Sequence, residues 1–349
     1  MSSTLYLHIG TPKTGTSAIQ LFMFSNRNAL AKNGCYVPNF KMKYPGIGQH
    51  RNAHWLIPAV KNDSDYNANL SHLKKIAEEY KTIYMSDEAI WNTCGFKPTF
   101  WEGLKKDLIN IGIELKVIVY LRRQDSYLYS YWAEQVRRGR VLASNIREYR
   151  ATDPRVMRHL NYYKYIRKGI MPQIDLSNIS IGIYERNRFS GENGIIEDFL
   201  DRLGHMSVKA DYQMPQRSNN ISLRDVVLEV RAKLNQIDEY KNDPEYINAL
   251  LLKVQSRLED EGRLKNRNTF FLNNREHFME KFSGSNGKVA SMLLGREDGT
   301  LFEDMKVEAS EKAEFSTEEI VLVCGYLIQE MQKGYFKKVR NDAVKKFFK

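Results

Sequence analysis

The sequence predicts an α/β protein with a mainly parallel sheet flanked by helices and a helical C-terminal part. Three observations carry this. Short apolar runs of strand length alternate with helical patterns up to about residue 220. The first run meets the first helix in a glycine-rich turn, and from residue 221 onward only helical periodicity remains.

The elements follow in order. "LYLHI" (5–9) is the first apolar run, and "SAIQLFMFSNRNALAKNG" (17–34) has helical spacing closing on Gly34. "KTIYMS" (81–86) is a second strand, and "ELKVIVYL" (114–121) a third, followed by the helix "DSYLYSYWAEQVRRG" (125–139). "ISIGIY" (179–184) and the helix "GIIEDFLDRLG" (194–204) complete the alternation. Strands this continuously apolar suit a parallel sheet covered on both faces, whose ligands sit beyond the carboxyl ends of the strands. The remainder reads as helices at 222–237, 244–262 and 316–334. We therefore expect an α/β core over 1–220 and a helical part over 221–349 packed on it. The polar stretch "NFKMKYPGIGQHRNAH" (39–54) reads as a loop near the site.

With 349 residues and 42% hydrophobic content, the chain can bury a full core. "MSSTLYLHIG" enters a strand directly, without a basic n-region or long apolar h-region, and no window of ~18 apolar residues follows. The expectation is a soluble, cytoplasmic protein. Cys35, Cys94 and Cys324 are odd in number and far apart, which fits free thiols rather than a disulfide framework or zinc site. The 53 Lys and Arg exceed the 42 Asp and Glu by a net +11, which implies an anionic ligand, surface or polymer. No zinc-finger spacing, RNP-like aromatic motif or isolated basic arm accompanies that charge, so no nucleic-acid partner is expected.

The chemistry concentrates in "HIGTPKTGTSAIQ" (8–20). Gly10 and Gly15 keep the glycine spacing of a nucleoside triphosphatase loop, G-x-x-x-x-G-K-[ST], and Ser17 is present. Thr16 stands where the lysine belongs, and the loop's lysine is Lys13, between the glycines. Such a P-loop-like turn offers an anion the unpaired N–H groups and partial positive charge of a helix N-terminus, with the Thr14, Thr16 and Ser17 hydroxyls as further donors. The same pattern also serves as a plain tight βα turn with a hydroxyl cap. With Lys13 inside the loop, its ammonium falls near the bridge between the two groups of a held ligand, where it offsets charge on a departing oxygen. That suits group transfer from a leaving group that keeps its 5′-phosphate.

"TPKTGTS" resembles the 5′-phosphosulfate loop of sulfotransferases that use 3′-phosphoadenosine 5′-phosphosulfate (PAPS), and the resemblance implies that Gly10, Thr11, Pro12, Lys13, Thr14, Gly15, Thr16 and Ser17 bind this donor. That family recognises the 3′-phosphate with an arginine at a strand end and a serine eight residues later on the following helix. "VIVYLRRQDSYLYSYW" supplies Arg122 and Ser130 at that spacing, with Ser126 one turn earlier. "IGIYERNRF" is similar to the Tyr-Glu-Asp segment of cytosolic sulfotransferases, which gives Tyr184 a place against the adenine; a core or rim tyrosine is the other reading. "RSNNISL" (217–223) and "FSGSNGKVASMLLGREDGTLFED" (282–304) resemble stretches of bacterial carbohydrate sulfotransferases, and Arg217 is a candidate for a phosphate or a sugar acid.

A base for the acceptor hydroxyl is also required. "YMSDEAI" places Asp87 and Glu88 just past the second strand, where cytosolic sulfotransferases carry their histidine, and "QHRNAHW" places His50 and His54 in the neighbouring loop. We put Glu88 ahead of His54, with a surface acid or structural histidine as the alternative for each. The resemblance thus implies transfer of the sulfuryl group of PAPS to a hydroxyl of a carbohydrate or glycolipid acceptor, in line and without a metal, releasing adenosine 3′,5′-bisphosphate. Two other readings stay open: a P-loop kinase or NTPase with a displaced lysine, which needs Mg²⁺ and an acidic residue after another strand, and a non-catalytic nucleotide- or polyanion-binding module. The tail "KKVRNDAVKKFFK" (337–349) reads as a solvated terminal helix or a weak contact with an anionic membrane.

Overall fold

A computed structural model describes residues 3–40, 47–60, 63–140, 158–185, 189, 193–214, 222–264, 275–303 and 315–347. Its sheet has five strands, β1 (Ser3–His8), β2 (Cys35–Tyr36), β3 (Thr82–Ser86), β4 (Ile113–Leu121) and β5 (Ile179–Ile183), ordered β2-β3-β1-β4-β5 and all parallel. The helices are α1 (Thr16–Ser25), α2 (Arg27–Lys32), α3 (Asp63–Glu79), α4 (Ala89–Thr93), α5 (Pro98–Asn110), α6 (Gln124–Arg137), α7 (Tyr162–Tyr165), α8 (Ile195–Arg202), α9 (Asp225–Leu234), α10 (Asp238–Asn242), α11 (Pro244–Asp260), α12 (Arg275–Lys288) and α13 (Thr317–Phe347). Single π-helical turns, Ile166–Ile170 and Val289–Leu293, prolong α7 and α12.

The chain divides into two compact units that interleave in sequence. The first comprises Met1–Tyr127, Met157–Ser218 and Glu280–Glu303, and the second Leu128–Val156, Asn219–Met279 and Asp304–Lys349. The first unit holds the sheet. Alternate strand residues feed two cores: Leu5, Leu7, Ile83, Met85, Val117 and Val119 join one that includes Trp91 and Trp101, while Tyr84, Ile118 and Tyr120 join one that includes Ile19, Phe22 and Phe199. Burial on both faces is why the strands read as apolar runs rather than as alternating patterns.

Register then fixes the site's location. His8 of β1 pairs with Ser86 of β3, and β4 runs on to pair Leu121 with Ile183 of β5. The segments that follow β1, β3, β4 and β5 therefore leave from one edge of the sheet. The chain goes from β1 to the β2 edge, returns to β3 and crosses to β4 on the other side of β1, so the turn after β1 stands at the topological switch point.

The second unit is helical. Val227 and Val230 of α9, Leu251 and Val254 of α11, and Val323 and Leu327 of α13 are buried. Arg231 is fully buried there, donating from Nε to Asn248 Oδ1 (3.0 Å) and from Nη1 to Asn235 Oδ1. Asn235 and Asn248 in turn donate to the carbonyls of Val136 and Arg137 at 2.8 Å each, satisfying the C-terminal end of α6.

Departures from the sequence reading have specific structural causes. The expected helix 17–34 breaks at Asn26, whose side chain exchanges hydrogen bonds with the Gln213 backbone (3.0 and 2.8 Å). Strand β2 is two residues long, below what periodicity can register. α12 runs through "FSGSNGK", a sequence poor in helix formers, and α13 continues past Gly334 into the basic tail. The three cysteines are free thiols. No helix among the described residues is long and apolar enough to cross a membrane.

Candidate functional site

The loop after β1 is built by its own backbone needs. Thr11 N donates to the Tyr120 carbonyl (2.9 Å) and Tyr120 N to the Gly10 carbonyl (2.7 Å), extending the β1–β4 pairing into the turn. Gly10 and Gly15 take φ of +101° and +76°, which glycine adopts without steric cost. A Cβ on Gly15 would stand 3.3 Å from Tyr184 and Ile195, and one on Gly10 3.2 Å from Glu88 Cβ. Thr14 and Thr16 donate their hydroxyls to the Thr11 carbonyl (2.5 and 3.2 Å), so both shape the loop itself. Thr11, Pro12, Thr14 and Thr16 are buried, Lys13 and Gly15 half-buried, and Ser17 exposed.

Gly15 precedes α1 with no side-chain cap, and the first turn carries no acid. Ala18 N donates to the Gly15 carbonyl (2.9 Å), while the Thr16 and Ser17 N–H groups lie ahead of any carbonyl of the helix ladder, and the dipole favours an anion there. Lys13 adopts φ +68°. A lysine in the left-handed region is uncommon and costs of order 1–3 kcal/mol, the kind of strain that concentrates at functional positions.

Arg122 and Tyr184 come to the same loop. Arg122 Nη1 donates to the Lys13 carbonyl at 2.7 Å, and its guanidinium lies 5.4 Å from the centroid of the Tyr184 ring. Tyr184 N donates to the Leu121 carbonyl (2.7 Å), and its ring meets Phe189 edge-on. Tyr162 OH donates to the Arg122 carbonyl (2.6 Å). Loop, arginine and aromatic ring, separate in sequence, thus form one cluster. Ser130 is half-buried on α6 and belongs to the helical unit, and Arg217 lies outside the described residues.

A second polar cluster flanks Gly10. Asp87 is fully buried, and its carboxylate accepts from Arg51 Nη2 (2.5 Å) and Nε (3.1 Å), from Ala89 N (2.7 Å) and from His54 Nδ1 (2.8 Å). Glu88 Oε2 accepts from Gln20 Nε2 (2.9 Å), and Oε1 lies 3.6 Å from Arg51 Nη1. Burial acts to lower the Arg51 guanidinium, but its hydrogen bond to Asp87 and the charges of Asp87 and Glu88 outweigh this and raise it above its ordinary value. Burial holds the His50 imidazole below its ordinary value, against the charge of Glu88. Gln20 also donates to Ser86 Oγ (3.0 Å), whose proton is then available to His8 Nδ1 at 3.0 Å.

Asp87 is therefore saturated and cannot serve as a base, while Glu88 stands directly against the loop. His54 Nδ1 faces the Asp87 carboxylate at 2.8 Å, which orients the ring. Sequence reasoning missed Gln20 and Arg51. Gln20 follows Thr16 by one helical turn and was legible in spacing alone; Arg51 sits in an irregular loop and was not. Among the described residues, no group of three or more His, Cys, Asp or Glu stands where it can hold a metal ion. No protein-family model, curated protein or solved structure matches the chain with significant similarity.

Proposed function

We propose that this protein is a PAPS-dependent sulfotransferase with a P-loop-like donor site, acting on a hydroxyl of a carbohydrate-type acceptor. The observation that carries the reading is the joining of the loop Gly10–Ser17 to Arg122 and Tyr184 at the switch point of a parallel sheet. A ligand with two separated phosphate groups and an adenine suits that set: first-turn amides for one phosphate, a planar guanidinium fork for the other, and an aromatic face between. The glycines fit too, since a Cβ at Gly10 or Gly15 would press into Glu88 or Tyr184.

PAPS supplies an activated sulfuryl group whose S–O bond to the 5′-phosphate breaks as the acceptor oxygen forms its own bond to sulfur. Glu88 accepts the proton of the acceptor hydroxyl. Lys13 offsets the negative charge that develops on the departing phosphate oxygen. Arg51 and Gln20 hold the Glu88 carboxylate beside Gly10, and Asp87 holds Arg51 and His54. The acidic residue that an Mg²⁺-dependent phosphoryl transferase would draw on after a neighbouring strand is here Asp87, already filled by four donors.

The test is turnover. With PAPS and a panel of glycosides, release of adenosine 3′,5′-bisphosphate should require an acceptor and survive EDTA. Hydrolysis of ATP that depends on Mg²⁺, with no turnover of PAPS, would instead establish the kinase or NTPase reading.

A further inference from the structure

The segment 282–304 has no part in the proposed donor site or in the base. In the structure α12 passes through Gly284, Ser285, Asn286 and Gly287 and ends in the π turn Val289–Leu293. Two glycines in a helix interior cost about 1 kcal/mol each relative to alanine, and π turns concentrate at functional positions. A helix kept against its own propensities is held by tertiary contacts, and here they are specific.

Asn286 and the fully buried Gln124 exchange a reciprocal amide pair: Gln124 Nε2 donates to Asn286 Oδ1 (2.6 Å), and Asn286 Nδ2 donates to Gln124 Oε1 (3.1 Å). Ser285 Oγ accepts from Tyr163 N (3.2 Å). Farther along, the Glu303 carbonyl accepts from Arg123 Nη1 (3.1 Å), and Glu303 N donates to Glu185 Oε1 (3.0 Å). Phe302 is buried beside Tyr162, whose hydroxyl holds the Arg122 carbonyl. One distant segment thus bonds residues 123 and 124 directly, bears on Arg122 through Tyr162, and reaches Glu185, the neighbour of Tyr184.

We infer that residues 285–303 form a clamp that sets the arginine turn Arg122–Gln124, with Asn286 a positioning residue for recognition of the ligand's second phosphate. The inference rests on the proposed donor site. Asn286 is a partner of Gln124 and not of either phosphate; through Gln124 it fixes the backbone from which Arg122 reaches. Its loss should therefore act on the 3′-phosphate alone, leaving the loop after β1 intact.

The experiment measures affinities for AMP and adenosine 3′,5′-bisphosphate by calorimetry on the unaltered protein, Asn286→Ala, the isosteric Asn286→Asp and the exchanged pair Gln124→Asn/Asn286→Gln. Asn286→Ala should cut the preference for the bisphosphate by about tenfold, the scale of a lost buried hydrogen bond, with AMP affinity unchanged. Asn286→Asp, which cannot donate to Gln124, should show a partial loss, and the exchanged pair should recover part of the preference. An unchanged preference in both single variants would overturn the inference, as would an equal loss for both ligands, which marks general destabilisation. If the unaltered protein shows no preference for the bisphosphate, the donor-site reading itself fails and takes the clamp with it.

Discussion

Arg122, at the end of β4, donates through Nη1 to the main-chain carbonyl of Lys13 in the loop after β1, at 2.7 Å. The bond joins the strand-end arginine to the loop, so in the proposed donor site one side chain both meets the second phosphate and fixes the backbone of the loop's lysine. Arg122→Ala should weaken adenosine 3′,5′-bisphosphate by about one to two orders of magnitude, the range for charge-assisted hydrogen bonds, and AMP by less. Arg122→Lys should not restore the difference, because a point charge lacks the guanidinium fork. Calorimetric titration with both ligands checks this.

Lys13 holds a left-handed backbone conformation in the same loop. If it acts on charge that appears only as the sulfuryl group departs, its loss is felt in the transition state rather than in binding. Lys13→Ala should lower kcat by about two to three orders of magnitude, comparable to removal of an oxyanion donor, with a smaller change in affinity for adenosine 3′,5′-bisphosphate. Abolished binding with near-normal kcat at saturation would make Lys13 an ordinary phosphate ligand.

The base is assigned by comparing Glu88→Gln with His54→Ala. Glu88 lies against Gly10, whereas His54 is tied to the buried Asp87. Glu88→Gln should lose both rate and the acidic limb of the pH–rate profile, and His54→Ala should keep that limb. The reverse pattern would transfer the role to His54.

How much of this was legible in the sequence depends on range. The strands at 82–86, 113–121 and 179–183 were readable because both faces of the sheet are buried, and the loop because its glycines and hydroxyls are consecutive. Arg122 and Tyr184 were readable as strand-end residues, but their junction with Lys13 depends on strand order, which a sequence does not print. Asn26 and the helix through Gly284–Gly287 escaped because tertiary hydrogen bonds with Gln213 and Gln124 override local propensity there, and β2 because two residues carry no periodicity. The return of 280–303 to the sheet unit has no periodic signal at all.

Stability should carry the mark of His8. Burial in β1 pushes its imidazole from an ordinary 6.5 down to about 3. The unfolded chain takes up this proton as pH falls through the ordinary value, while the folded chain stays neutral until about 3. The contribution is thus complete above the ordinary value and is lost on acidification through this window, at up to about 1.4 kcal/mol per pH unit. Urea melts from pH 7 down to 4.5 should show a shallower pH dependence for His8→Gln than for the unaltered protein. Parallel curves would contradict the assignment.

A site proposed to hold a nucleotide carrying separate 3′- and 5′-phosphates is tested by the shift in Tm that adenosine 3′,5′-bisphosphate produces against equal concentrations of ADP and AMP. Ligand that binds only the folded state stabilises it by RT ln(1 + [L]/Kd), so at equal concentration the tighter ligand raises Tm more. The shift for adenosine 3′,5′-bisphosphate should stand well above either of the others, with the excess lost in Arg122→Ala. Equal shifts for ADP and adenosine 3′,5′-bisphosphate would contradict it.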